Sequence, residues 1–194
     1  MQKSEMILQN MRDILKITLN LLIIYIIGGL IIALVYSKTS PLIYKNKVES
    51  KKMALRKLLP EADSIEKMGS WKIHDKEADY YSAKKDGEII GYIIESYGKG
   101  YSGYIEVLVC VNKEMKIKNI SILSHTETPG LGDEITKDYF LKQFISKDAQ
   151  HLITVKNTTD EYIQAISGAT ISSRAVTEDA VKSAIEFLTN KLKG

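Results

Sequence analysis

The sequence predicts an α+β protein: a mostly antiparallel sheet with packed helices, preceded by a single N-terminal transmembrane helix. Three observations carry this. An uncharged run fills Ile17 to Tyr36, short stretches of strand-like alternation separated by turn residues fill the middle, and apolar residues at helical spacing close the chain.

The uncharged run, ITLNLLIIYIIGGLIIALVY, holds 20 residues. At about 1.5 Å per residue it spans roughly 30 Å, the thickness of a bilayer core. Thr18 and Asn20 sit near its entry, and Tyr36 at its exit suits the interface. A cleaved leader would have a shorter apolar region, about 7–15 residues, before a small-residue cleavage site. Leu34-Val35-Tyr36-Ser37 is a poor site, so a permanent anchor in lipid is expected. Charge does not fix its orientation. Arg12 and Lys16 precede the span, Lys38, Lys45, Lys47, Lys51 and Lys52 follow it, and long domains translocate largely regardless of charge.

The expected organisation is a tail and anchor over 1–38, a helical stalk over 39–69 and a C-terminal domain over 70–194. Val48 to Leu59 reads as a helix ending before Pro60, with the charges of Lys45 to Lys57 on a solvated face. Tyr80 to Lys84 and Glu88 to Tyr97 flank Lys85-Asp86-Gly87, and Asp-Gly is a strong hairpin signal. Tyr104 to Val111 alternates, with Ile105, Val107, Val109 and Val111 on one side and Tyr104, Glu106, Leu108 and Cys110 on the other. After a turn at Asn112-Lys113-Glu114 comes a strand over Met115 to Leu123. A helix is expected over Lys137 to Ser146. Another runs from about Ile171 to Leu192, with Val181, Ile185, Leu188 and Leu192 at helical spacing.

Composition narrows the function. With 44% hydrophobic residues, 3 Pro and 12 Gly, the chain is a packed globular one. A single cysteine, Cys110, excludes an internal disulfide and a cysteine-ligated iron–sulfur cluster, and reads as a small buried hydrophobe. The net charge is +3, of which residues 1–38 hold +2, so the remainder has no basic footprint for nucleic acid. His74, His125 and His151 lack metal-ligand spacing. No GxGxxG follows a strand, so no nicotinamide site is expected.

Two segments carry chemistry. In Ser167-Gly168-Ala169-Thr170, followed by Ile171-Ser172-Ser173-Arg174, small residues allow close approach to the backbone where a helix begins. Helix starts offer free N–H groups and partial positive charge, which suit a phosphate. Ser172 and Ser173 add hydroxyls, and Arg174 lies one turn after Thr170. The same residues also suit an ordinary helix cap at Thr170 or Ser172. The second segment is Glu127-Thr128-Pro129-Gly130-Leu131-Gly132, after His125-Thr126. Its Pro-Gly makes a turn, and its glycines would bring the chain close to a planar ligand. Alone, it also reads as a connecting loop.

SGAT with its Ser pair, together with ETPGLG and Tyr101-Ser102-Gly103 before the Tyr104 strand, resembles the FMN-binding domain family. That family occurs in the G subunit of the Rnf electron-transport complex and the C subunit of the sodium-pumping NADH:quinone reductase. The resemblance covers the whole chain, and the length suits the Rnf protein better. It implies that a separate flavin transferase cuts FAD and leaves FMN as a phosphoester on Thr170, with Ser167, Gly168 and Ala169 as the recognition stretch. It implies that ETPGLG lines the isoalloxazine, with Thr128 and Leu131 in contact and Glu127, Gly130 and Gly132 shaping the loop. The implied role is a redox carrier, with no catalytic or metal-binding residue of its own, among other subunits of a membrane-bound ion-translocating ferredoxin:NAD oxidoreductase. The implied location is the cell membrane, single-pass, with the flavin domain on the extracytoplasmic side. A membrane-anchored redox sensor and a stand-alone extracytoplasmic reductase are the alternatives. The first would need an output domain and the second a donor site, and the sequence offers neither.

Overall fold

The computed structural model describes residues 2–193, with side chains from Gln9 onward. The chain divides into two units, Met1–Glu49 and Ser50–Gly194. The described residues of the first are helical and belong to α1 (Gln2–Leu58). This helix is long and apolar enough to cross a membrane. None of its large apolar side chains between Ile17 and Tyr36 is buried against protein, as expected of a surface whose solvent is lipid.

The second unit is built on a five-stranded antiparallel sheet in sequential order. Its strands are β1 (Ser64–Ile73), β2 (Lys76–Lys85), β3 (Glu88–Lys99), β4 (Tyr104–Asn112) and β5 (Ile117–Ser124). Asp86 (φ 51°) and Gly87 (φ 82°) make the β2–β3 hairpin, because left-handed turns match the twist of the strands they join. At the β4–β5 turn, Asn112 Oδ1 accepts from Glu114 N (3.0 Å) and Lys116 N (2.9 Å). After β5 come α2 (Asp138–Leu141), flanked by 3-10 turns, and a short parallel pair, β6 (Thr154–Val155) with β7 (Ile163–Gln164). The chain ends in α3 (Thr170–Arg174), a π-helical stretch over Ala175–Val181 and α4 (Lys182–Lys193), one after another without a break.

Helices cover both faces of the sheet. On one, Ile94, Val107, Val109 and Val111 pack in the main core with Val176, Val181, Ile185 and Leu188. Ser96 Oγ donates to Ala180 O (2.8 Å). A Cβ on Gly98 would stand 1.9 Å from Ala175 O, so strand and helix backbones touch there. On the other face Tyr81, Ile93, Leu108 and Cys110 lie under Leu55, Leu58 and Leu59, from the end of α1 and just beyond it. The alternation expected of β4 is therefore real, and both of its sides are buried. Burial pushes the Cys110 thiol up to about 12, which keeps it protonated and inert.

The structure corrects three expectations. The helix over Lys137–Ser146 is one turn of α-helix followed by a 3-10 turn over Lys142–Phe144. Phe140 and Phe144, edge-to-face at 5.3 Å, fold into the core, and Ser146 N then donates to Ile117 O on the sheet edge. β1 starts at Ser64, inside the stretch assigned to the stalk. The solvated face of Lys45 to Lys57 contains one half-buried lysine, since Lys51 Nζ contacts Glu95 (2.6 Å) and Asp79 (3.0 Å).

Candidate functional site

The SGAT turn is stapled from within. Gly168 takes φ +78°, a conformation favouring glycine. Ala169 N donates to Ile166 O (3.0 Å). Ser173 Oγ accepts from Ile166 N and donates to Ala169 O, both at 2.9 Å. The residue before the helix is Ala169, and no side chain caps it. Thr170 is therefore the first helical residue, half-buried, and its hydroxyl is not used as a cap.

The ETPGLG segment is stapled to the same place. Glu127, 5% exposed, accepts from Ser102 N on Oε1 (3.0 Å) and from Tyr101 N on Oε2 (3.3 Å). The Ser172 hydroxyl donates to Oε2. Glu127 N donates to His125 Nδ1 (3.2 Å), so His125 serves within the loop. A Cβ on Gly132 would stand 2.7 Å from Glu127 Oε2, and one on Gly100 2.5 Å from Oε1. The tyrosine-serine loop, ETPGLG and the start of α3 thus converge on one carboxylate.

They enclose one cavity of about 400 Å³, in the range of small-molecule sites. Thr128, Leu131 and Gly132 line it from one motif, Gly168, Ala169 and Thr170 from the other. Tyr101, Leu131 and Ile171 form an exposed apolar mouth. Ile171 was not singled out in the sequence, although an apolar residue in the exposed first turn of a helix is a readable signal.

Other expected site residues have different partners. Ser172 and Ser173 are buried, with their hydroxyls given to Glu127 and Ala169 O. Arg174 pairs with Glu178 (3.1 Å). It lines a second, charged cavity of about 690 Å³, with Lys156, Lys182 and Glu186, that also touches Thr170. Glu178 is held below the usual carboxylate range: burial opposes its charge, but Thr154 N and Arg174 outweigh it. Ser167 is exposed at the turn. Gly130 takes φ +73° in the expected turn.

Residues 100–186, which contain both motifs, match the FMN-binding domain model. Over 182 residues the chain is 41% identical to the G subunit of the proton-translocating ferredoxin:NAD(+) oxidoreductase complex of Clostridium ljungdahlii, covering 93% of this chain and 95% of that one. The chain belongs to the G-subunit family of ion-translocating oxidoreductase complexes. A more distant relative matches over a similar extent of chain. The G subunit of the Na(+)-translocating ferredoxin:NAD(+) oxidoreductase complex of Acetobacterium woodii is 30% identical over 193 residues, covering 91% of this chain and 93% of that one. The fold is shared with the crystal structure of the C subunit of the Na(+)-translocating NADH-quinone reductase from Parabacteroides distasonis, at TM-score 0.56 and 20% identity, over 75% of this chain and 94% of that one.

The residues of this G-subunit homologue fit the flavin its domain family binds. The cavity is apolar at its mouth, polar at its floor, and bordered by a threonine hydroxyl that the helix does not use.

Proposed function

We propose that this chain is the electron-relay subunit of a membrane-bound ion-translocating ferredoxin:NAD oxidoreductase, carrying electrons on FMN held through its phosphate by Thr170. One observation supports this most. Two signature segments separated in sequence wall a single cavity, and Thr170 stands on its border. FMN, when bound, supplies the redox chemistry, and the protein supplies position and environment. Thr128 and Leu131 are the contacts for the ring, and Ile171 and Tyr101 extend that apolar surface. Ser167, Gly168 and Ala169 present Thr170 to a flavin transferase. Maturation forms a bond from the Thr170 oxygen to the FMN phosphorus of FAD, with AMP leaving and the hydroxyl proton released. Gly130 and Gly132 keep the loop close to the cavity, while Ser172, Ser173 and Glu127 hold its frame. Arg174 and the charged cavity beside Thr170 suit the phosphate end better than the ring.

The family resemblance supports an extracytoplasmic flavin domain on a single-pass anchor in the cell membrane, with partners in the other subunits of the complex. Covalent attachment suits that side, where lost FMN could not be replaced.

The test is flavin fluorescence on a denaturing gel after co-expression with a flavin transferase. A band is expected in wild type and none in Thr170→Val, which loses only the hydroxyl. No band in wild type, with the transferase active on another substrate, would sink the covalent reading. Equal bands in both would move the attachment elsewhere.

A further inference from the structure

We propose that Glu127 is the potential-setting residue of the flavin cavity: one buried carboxylate that clamps the three surrounding segments and keeps the flavin's reduction potential low. This rests on the flavin reading above.

The clamp is visible in the donors. Tyr101 N and Ser102 N come from the β3–β4 loop, and the Ser172 hydroxyl from α3. Gly100 and Gly132 leave room for the carboxylate where any Cβ would collide with it. An ionised carboxylate only accepts, and backbone N–H groups only donate, so the cage is built for the anion. Every donor is neutral. Among the described residues no lysine or arginine is paired with Glu127, and Arg174, the cation in α3, is engaged by Glu178. A buried charge compensated by dipoles alone keeps much of its field in a low-dielectric site.

Glu127 also lines the cavity together with Thr128, Leu131 and Thr170. A fixed negative charge there opposes the arrival of electrons on a ring bound in that cavity, so the ring is harder to reduce than it would be beside a neutral residue. A donor that passes electrons onward to another carrier gains from this. A purely structural clamp would affect stability and leave the potential alone.

Those two roles separate in a redox titration of the full-length flavinylated protein in detergent, read by visible absorbance, with thermal melting alongside. Glu127→Gln is near-isosteric, and its amide can still pair with Ser102 N and Ser172. It should move the flavin midpoint upward by at least roughly 30 mV, a tenfold change in a two-electron equilibrium. Ser172→Ala removes one neutral donor and leaves the charge less compensated, so the midpoint should move down. Opposite shifts from two variants of one hydrogen bond support the proposal, since lost packing has no reason to change sign. An unchanged midpoint in flavinylated Glu127→Gln overturns it. If Glu127→Gln fails to fold or to take flavin, Ser172→Ala decides alone: a downward shift supports the proposal, and an unchanged or raised midpoint overturns it. Wild type without a covalent flavin band would overturn the flavin reading itself, an outcome distinct from any shift between flavinylated variants.

Discussion

The two helix-covered faces of the sheet share apolar packing and differ in what is added to it. On the face that carries the cavity, contact is steric. Gly98 meets the Ala175 carbonyl, Val176 and Val181 fill the core, and Trp71 stacks on Phe187 at 4.5 Å. On the opposite face, under the end of α1, an apolar cluster around Leu55, Leu58, Ile93 and Leu108 is joined by a charged network. Lys51 reaches Glu95 and Asp79, Tyr97 OH donates to Glu95 Oε1 (2.9 Å), and Asp79 N donates to Glu95 Oε2 (3.0 Å). Burial and the charges of Glu95 and Glu106 push the Tyr97 phenol far above its usual range, so it stays a neutral donor. The difference teaches where geometry is fixed. Backbone packing at Gly98 and Ala175 fixes the middle of the helix that begins at Thr170, carboxylates of Glu127, Glu178 and Asp179 tie it to neighbouring segments, and the Lys51 network lies on the other side of the sheet.

The largest effect should come from breaking the charged network. Lys51→Met leaves Glu95, 4% exposed, without its cation; because Lys51 itself is 20% exposed, the cost should fall at the low end of the about 3–5 kcal/mol for breaking a buried pair. Denaturant unfolding of the full chain measures this, and a double-mutant cycle with Glu95→Gln should recover much of the loss. Acid and alkali sharpen the same point. Burial opposes the Asp79 charge, but Lys67 and Lys51 outweigh it and hold its pKa well below the carboxylate range. Its contribution is present above the unfolded value of about 3.9 and is lost as pH falls below it. Burial also opposes the Lys51 charge, but Glu95 and Asp79 raise its pKa beyond the usual lysine range. That contribution is full below about 10.4 and is lost at higher pH, through the raised folded value. Melting temperature against pH should be steeper at both extremes in wild type than in Lys51→Met.

Next comes the steric face. Gly98→Ala places a methyl 1.9 Å from Ala175 O, so strand and π-helical turn must part. Overpacking of this kind costs about 3 kcal/mol. Denaturant unfolding of the full chain measures the loss. Because the same helix opens at Thr170, flavinylation should slow as well. Full stability, or full-rate flavinylation, would contradict the role given to this contact.

Much of this was readable from residue order, and the exceptions have causes. β4 was legible because Val107, Val109 and Val111 alternate with Leu108 and Cys110, and burial on both sides left no ambiguity. β1 was not, because it is an edge strand whose side chains are mostly exposed, and a register shift between Lys67 and Gly69 breaks its alternation. The helix expected near Phe140 and Phe144 had helical spacing, but the tertiary contact of those rings overrode continuation. Lys51 reads as one lysine among several, since its partners lie 28 and 44 residues away. At the site, motif order pointed to Thr170, Leu131 and Glu127. The roles of Ser172 and Ser173 were inverted, because a hydroxyl near a phosphate site and a hydroxyl holding the turn beneath it look alike in sequence.

That inversion yields the smallest prediction. Ser173 Oγ is the acceptor for Ile166 N and a second donor to Ala169 O, which also accepts from Ser173 N at 3.0 Å. Ser173→Ala therefore orphans one buried N–H while Ala169 O keeps a partner, a cost of about 1 kcal/mol. Fold and cavity should survive. What should change is the presentation of Thr170, since the turn preceding it loses its staple. The initial rate of transferase labelling should fall several-fold while the final yield stays at the wild-type level, in contrast to the complete loss in Thr170→Val. A time course of in-gel fluorescence distinguishes the two. An unchanged rate would mean that Gly168 and the Ala169 N–Ile166 O bond suffice to set the turn, and a lost endpoint would give Ser173 a direct part in holding the cofactor.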